Sequence, residues 1–436
     1  MKNKGQQVWK KAKKIIPGGN MILSKRPEMF LPLKWPTYFK QAKGCNVWSL
    51  DGQKLTDMSL MGIGTNILGY CNDEVDKSVI ECVKQGNMTT LNCNEEVELA
   101  EKLIEINSPW GEMVRFARSG GEANAIAIRI ARAASGKDNI AVCGYHGWHD
   151  WYLSANLKNK NQLDDHLLAG LDVDGVPEAL KNTVFPFEYN NFEQLEEIIA
   201  TKNIGVLKME VIRNIEPDNN FLEKVRKITK KNNIILIFDE CTSGFRETFG
   251  GISKKYKIQP DMTMFGKALG NGYAITAIIG KKDIMQYAQS SFISSTFWSE
   301  RIGPTAALKT LEIMEKTQSW KIITKKGKYI KNCWIELAKK NNIKLDVWGI
   351  DALPGFTIKS EYSLEYKTLI SQELLKENIL ASNSIYVSTA HSDDLIDLYI
   401  EKLGNIFSKI KECEDGADIL KLLDGPVCQV GFKRIN

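Results

Sequence analysis

The chain has 436 residues, 43% of them hydrophobic and 25% charged, a balance that supports a large core in two or three lobes and excludes long disorder away from the ends. The 58 basic and 53 acidic residues leave a formal charge of +5, too mild to indicate a nucleic-acid-binding surface.

The N-terminus, "MKNKGQQVWKKAKK", lacks the apolar stretch of a signal peptide, and no run reaches the length of a membrane span. Residues 1–73 carry turn signals ("PGG", "LPLKWP") and then an alternating stretch, "NVWSLDGQKLTDMS", that predicts a hairpin turning at Asp51-Gly52. This segment has little core of its own and is expected to pack with a smaller C-terminal domain. Over 74–315 the pattern becomes short apolar strands between helices. "NIAVCGY", "NIGVLKME", "NIILIFDE", "MTMFGK" and "YAITAIIG" read as buried strands, and "FLEKVRKITKKNN" as a helix with Leu222, Val225 and Ile228 on one face. Strands alternating with helices predict an α/β domain with a mainly parallel central sheet, whose ligands sit at the carboxyl ends of its strands. Residues 316–436 are lysine-rich, with helices flanking "IKLDVWGI" and "GFTIKS", and read as a smaller α+β domain. Nine scattered cysteines without a Cys-x-x-Cys pair or histidine cluster argue against metal sites and disulfides. Reduced thiols in apolar runs suit a reducing cytoplasm.

Three features carry chemistry. "MTMFGKALGNGY" sets Lys267 among apolar and glycine residues. A lysine desolvated there loses its proton readily and becomes a nucleophile toward carbonyl carbon, although a snorkelling lysine at a strand end is the commoner case. In "RSGGEANAIAIRIARAASG", Ser119, Gly120 and Gly121 stand where a helix begins. Unpaired N–H groups there can hold a phosphate, or the serine simply caps the helix. In "NIILIFDECTSGFR", Asp239 and Glu240 end the most apolar strand, where Asp239 either faces a ligand's positive charge or caps the next turn. Together, phosphate anchor, buried acid and lysine are the parts pyridoxal phosphate needs. The lysine forms a Schiff base with its aldehyde, the acid keeps its ring nitrogen protonated, and the helix end takes its phosphate.

These residues resemble the class III aminotransferases, and within them the branch similar to glutamate-1-semialdehyde 2,1-aminomutase. "IPGG", "SGGEANAIAIRIARAASGKD", "GYHGWHD", "FDECTSGFR", "FGKALGNGY" and "SSTFWSERIGPTAAL" carry the resemblance along nearly the whole chain. It implies fold type I of the pyridoxal-phosphate-dependent transferases and a homodimer with a shared active site. Lys267 would be the Schiff-base lysine and general acid/base, and Asp239 the partner of the ring nitrogen. Ser119, Gly120 and Gly121 would bind the phosphate. Tyr145 would stack on one ring face, with Cys241 in place of the usual aliphatic residue on the other. Thr296 would reach the phosphate of the neighbouring subunit. Glu122 and His146 fall in the same motifs with either structural or functional roles.

The chain departs from the aminomutase pattern where substrate would be met: "FWSERIGP" follows Thr296, and "EVIRN" replaces an "EPVAGN"-like segment. A transaminase joining an amino donor to a carbonyl acceptor is therefore expected. A true aminomutase making 5-aminolevulinate, a racemase or decarboxylase, and an idle binding subunit are the alternatives. Trp148, Trp151 and Trp298 could line the pocket, and Arg26, Arg213 or Arg301 could take a substrate anion.

Overall fold

The computed structural model describes residues 3–166, 169–212 and 214–431. Arg213 lies outside the described residues. The contacts divide the chain into two units, Asp73–Trp320 and the flanking residues up to Asn72 and from Lys321. In chain order the described strands are β1 Phe39–Lys43, β2 Asn46–Ser49, β3 Lys54–Met58, β4 Met113–Ala117, β5 Asn139–Cys143, β6 Val184–Pro186, β7 Ile204–Glu210, β8 Ile235–Glu240, β9 Met262–Phe265, β10 Thr276–Gly280, β11 Leu345–Trp348, β12 Gly355–Ile358 and β13 Ile379–Ala381.

In the flanking unit β1, β2 and β3 form an antiparallel meander. The β2–β3 turn is at Asp51-Gly52, where Gly52 has φ +84°, a conformation that glycine adopts without the Cβ clash. β13 joins β3 in parallel, so the two ends of the sequence share one sheet in the order β1-β2-β3-β13. β11 and β12 make a separate antiparallel pair.

The larger unit is built on a seven-stranded sheet in the order β4-β10-β9-β8-β7-β5-β6. β6, β5, β7, β8 and β9 run parallel, while β10 runs against both neighbours, β9 and β4. β7 and β8 are buried at every position, hence their near-continuous apolar sequences. Because β10 reverses direction relative to both neighbours, β4 points the same way as the parallel strands. Ala117 at the end of β4 faces Thr276, and Phe265 at the end of β9 faces Ala277. The carboxyl ends of β4, β5, β7, β8 and β9 therefore share one edge, which fixes where a ligand can be met.

The helix Gly120–Ser135 follows β4 and buries Ala123, Ile126, Ala127, Ile130 and Ala131 in one cluster with Val142, Val206, Ile237, Met264 and Ile278 of the sheet. Each large aliphatic side chain buried there contributes about 1.5–3 kcal/mol. Small residues at 123, 127 and 131 let helix and sheet approach closely. On the helix Phe221–Lys231, Leu222 and Val225 are buried as expected, but Ile228 is only half-buried. Phe221 and Thr229 complete that face instead, with the Thr229 hydroxyl donating to the Arg226 carbonyl at 3.0 Å.

Candidate active site

At the shared strand edge, Cys241 links the three segments that the sequence singled out. Its N–H donates to Asp239 Oδ1 at 3.1 Å, and its carbonyl accepts the Lys267 N–H at 3.1 Å. A Cβ added to Gly120 would lie 3.8 Å from its Sγ, and one added to Gly266 3.2 Å from it. The end of β8, the turn after β9 and the start of the helix after β4 thus meet around one half-buried thiol. Lys267 is itself half-buried, and its Nζ donates to Thr242 Oγ1 at 2.6 Å. The fully buried lysine of this region is Lys208, on β7.

Asp239 is 4% exposed. Its Oδ2 lies 2.9 Å from His146 Nδ1 and 3.5 Å from Lys208 Nζ. Burial alone would raise the carboxyl, but the Lys208 ammonium and the His146 bond outweigh it and hold it well below the usual carboxylate range. Burial conversely lowers the Lys208 ammonium, with Asp239 partly restoring it. His146 has no exposure, and its Nε2 lies 3.2 Å from the Cys143 carbonyl. Both ring nitrogens therefore face acceptors, yet burial outweighs the Asp239 bond and holds the imidazole below its ordinary value.

Ser119 caps the helix Gly120–Ser135 in a reciprocal box with Glu122. Glu122 Oε2 accepts from the N–H groups of Arg118 and Ser119 and from the Ser119 hydroxyl at 2.8–3.1 Å, and Oε1 accepts from Trp298 Nε1 at 3.1 Å. Burial opposes ionisation of Glu122, yet these donors keep its carboxyl below the usual range. The N–H groups of Gly120 and Gly121 open the first turn and have no intrahelical acceptor. A Cβ at Gly121 would come within 3.0 Å of His149 Cδ2, so only glycine leaves that approach open. Tyr145 follows β5, donates its N–H to Glu210 Oε2 at 3.1 Å and meets Tyr152 edge-on.

The other residues that the sequence singled out have surroundings of their own. Thr296 opens an exposed turn, Thr296–Ser299, and among the described residues makes no bond to Ser119, Asp239 or Lys267. The Arg301 guanidinium is engaged by Glu95, with Nη2 to Oε1 at 2.7 Å. Arg26 belongs to the flanking unit. Trp151 is core and Trp148 is 69% exposed. Sequence reasoning passed over Lys208 and Thr242. The available signal for the first was a lone lysine inside an otherwise apolar strand.

The sequence matches the family described as aminotransferase class-III over residues 33–403. The chain belongs to that family. This class III aminotransferase is 30% identical over 94% of its length to the 3-aminobutyryl-CoA aminotransferase of Cloacimonas acidaminovorans, covering 98% of that protein. It is 31% identical over 93% of its length to the glutamate-1-semialdehyde 2,1-aminomutase of Sulfurisphaera tokodaii, all of which is covered. Among solved structures, the FumI protein of Sphingopyxis sp. MTA144 in its PLP internal aldimine form superposes with a TM-score of 0.84 at 22% identity, over 96% of this chain and 99% of that one. An omega-transaminase from Sphaerobacter thermophilus superposes with a TM-score of 0.81 at 21% identity, over 94% and 98% of the two chains. These structural likenesses establish the fold, type I. No helix among the described residues is long and apolar enough to cross a membrane.

Proposed function

We propose that this class III aminotransferase uses pyridoxal phosphate to move an amino group from an amino donor to a carbonyl acceptor, with Lys267 and Asp239 as its central residues. The observation that carries the reading is the convergence on Cys241. One residue's backbone bonds to the Asp239 carboxylate and to the Lys267 amide, while the first glycine of a long helix stands against its thiol.

The residues fit the cofactor by their chemistry. The first turn of the helix Gly120–Ser135 offers N–H groups and the positive dipole end to a phosphate, with Gly121 leaving space that a Cβ would take from His149. Asp239, kept ionised by Lys208 and His146, suits a protonated ring nitrogen. Lys267 supplies a primary amine for an aldehyde. Tyr145 and Cys241 would flank the ring, and Ser119 would hold the phosphate beside Gly120 and Gly121. When bound, the cofactor supplies an electron sink for the carbon that loses its proton.

The chain's own groups then divide the work. Lys267 Nζ holds and moves the proton, and Thr242 Oγ1, 2.6 Å away, orients that amine. Asp239 remains charged throughout, because its donors from Lys208, His146 and Cys241 stay in place. Glu122 locks the turn that presents the glycines. Thr296 is exposed in the single chain, which suits a role in a neighbouring subunit's phosphate site; the working form is a homodimer with shared sites, in the cytoplasm.

The aminomutase reading is kept because a 31% identical relative carries that name. The deciding experiment titrates the purified protein with amino donors in the absence of any acceptor while following its visible absorption. Loss of the cofactor's band with release of a keto acid supports transfer. Formation of 5-aminolevulinate from glutamate-1-semialdehyde, without keto acid from any donor, supports the mutase. Lys267→Ala should remove the band of the lysine-bound cofactor and abolish turnover while the protein stays folded by circular dichroism, and undiminished turnover would sink the assignment.

A further inference from the structure

Lys208 has no solvent exposure and stands in register between Val142 of β5 and Ile237 of β8. The strand alternation puts Lys208, Glu210, Ile237, Asp239 and Met264 on one sheet face, the face covered by the helix Gly120–Ser135. Its Nζ meets Met264 Sδ at 3.2 Å and Asp239 Oδ2 at 3.5 Å. An ammonium in an apolar layer is strongly desolvated, and a thioether and one carboxylate oxygen offset this only in part. Methionine or leucine would fill the same volume without that cost. The placement makes physical sense if the cation acts on Asp239.

We propose that Lys208 is a positioning residue for Asp239, which it shares with the ring nitrogen of bound pyridoxal phosphate, so that Lys208 sets how tightly that nitrogen holds its proton. The inference rests on the cofactor reading above. Oδ2 already faces two donors, His146 Nδ1 and Lys208 Nζ, and Oδ1 accepts the Cys241 N–H. A protonated ring nitrogen is then one more positive group around a single carboxylate, and the repulsion among them weakens the hold on each. The other titratable groups in that field are Glu210, Cys241, Lys267 and His146. Only Glu210 adds negative charge, and it sits beside Lys208 on the same strand face. Lys208 thus moderates the pull of Asp239 on the cofactor instead of adding to it.

The test compares wild type with Lys208→Met, using pyridoxal phosphate labelled with 15N in the ring and a carbon-ring analogue in which C–H replaces that nitrogen. In the variant the ring nitrogen should keep its proton to a pH about one unit higher. The affinity for pyridoxal phosphate relative to the analogue should rise about tenfold. An unchanged nitrogen titration and affinity ratio in a folded variant overturn the inference and leave the cofactor reading standing. Wild-type protein that fails to bind pyridoxal phosphate overturns both. Should the variant not fold, wild type carrying 15N-lysine gives a second reading. The Lys208 Nζ signal should shift on binding pyridoxal phosphate and much less on binding the analogue, and equal shifts overturn the competition.

Discussion

Replacing Asp239 by asparagine keeps the side chain's shape and removes its charge. The Cys241 N–H can still be met by the amide oxygen, and His146 can turn its Nδ1 lone pair toward the new NH2 while donating Nε2–H to the Cys143 carbonyl. Lys208 has no such remedy. At 3.5 Å and an effective dielectric of about 20, its attraction to Asp239 is about 5 kcal/mol. Shedding the proton limits the loss: from the ordinary value of 10.5, neutralising a lysine at pH 7 also costs about 5 kcal/mol, at about 1.4 kcal/mol per pH unit. The apoprotein of Asp239→Asn should therefore be destabilised by about 3–5 kcal/mol near neutrality. The sign of its pH dependence follows. Lys208 is neutral in the folded variant and charged in the unfolded chain, so the unfolded state binds the extra proton and stability rises with pH up to the ordinary lysine range. Relative to wild type the deficit should shrink by about 1.4 kcal/mol per pH unit between about pH 7 and 9. Urea unfolding of the apoproteins, with Lys208→Met and the double variant alongside, measures this. The double variant contains neither ion and should recover most of the loss, with no slope. A small deficit in Asp239→Asn that is flat with pH, or a double variant as unstable as the two single losses added, refutes the description of Lys208 and Asp239 as a buried ion pair.

His391 of the flanking unit is wholly buried, with Nδ1 accepting the Ser388 N–H at 3.2 Å and Nε2 2.8 Å from the Asp57 carbonyl. A proton added at Nδ1 would face an N–H, and burial pushes the imidazole down to about 4. The unfolded chain then binds the extra proton between about pH 4 and 6.5, so stability should fall by up to about 3 kcal/mol as pH drops through that window and level off below it. Long-range 1H–15N spectra of the four histidines should show one Nε2–H tautomer titrating far below the ordinary range. A His391 that titrates near 6.5 would contradict this. Gly121→Ala places a Cβ 3.0 Å from His149 Cδ2; because the neighbours are side chains that can give way, the protein should fold, with cofactor affinity weakened by about 1–3 kcal/mol. Equilibrium titration with pyridoxal phosphate reads that loss, and unaltered affinity would remove the phosphate from this turn.

What was legible in the sequence depended on whether a signal was local. β5, β7, β8, β9 and β10 stood out because strands buried on both faces are nearly continuous apolar runs. The helix Gly120–Ser135 stood out because Ser119, Gly120 and Gly121 stand just ahead of its apolar positions, whereas the partnership of Ser119 with Glu122 in a capping box came only from the structure. The direction of β10 was not legible, since an apolar pentapeptide reads the same in either direction and only its partners orient it. Ile228 was assigned to a buried face on three-residue spacing, but a helix turns every 3.6 residues, and by the second turn Thr229 lies nearer the centre of that face. The two lysines show the same limit. Glycine and apolar neighbours drew attention to Lys267, which is half-buried, whereas Lys208 passed as one more position in a strand. Burial is a property of neighbouring strands, and those are distant in sequence.

That difference also bears on how the site works. The role proposed for Lys267, reaching a substrate carbon and returning, needs room to move and a polar neighbour to guide the amine, and half-burial beside the Thr242 hydroxyl is compatible with both. A lysine whose role is to hold a charge near a carboxylate needs the opposite, a fixed position away from water, where a charge–charge interaction is little screened. β7 provides this by placing Lys208 one strand from Asp239, within the sheet itself. The proposed tasks thus suit the two environments, Lys267 half-buried in the turn after β9 and Lys208 buried within a strand. The strand order β9-β8-β7 brings both to the same carboxylate, Lys267 through the Cys241 backbone and Lys208 through space.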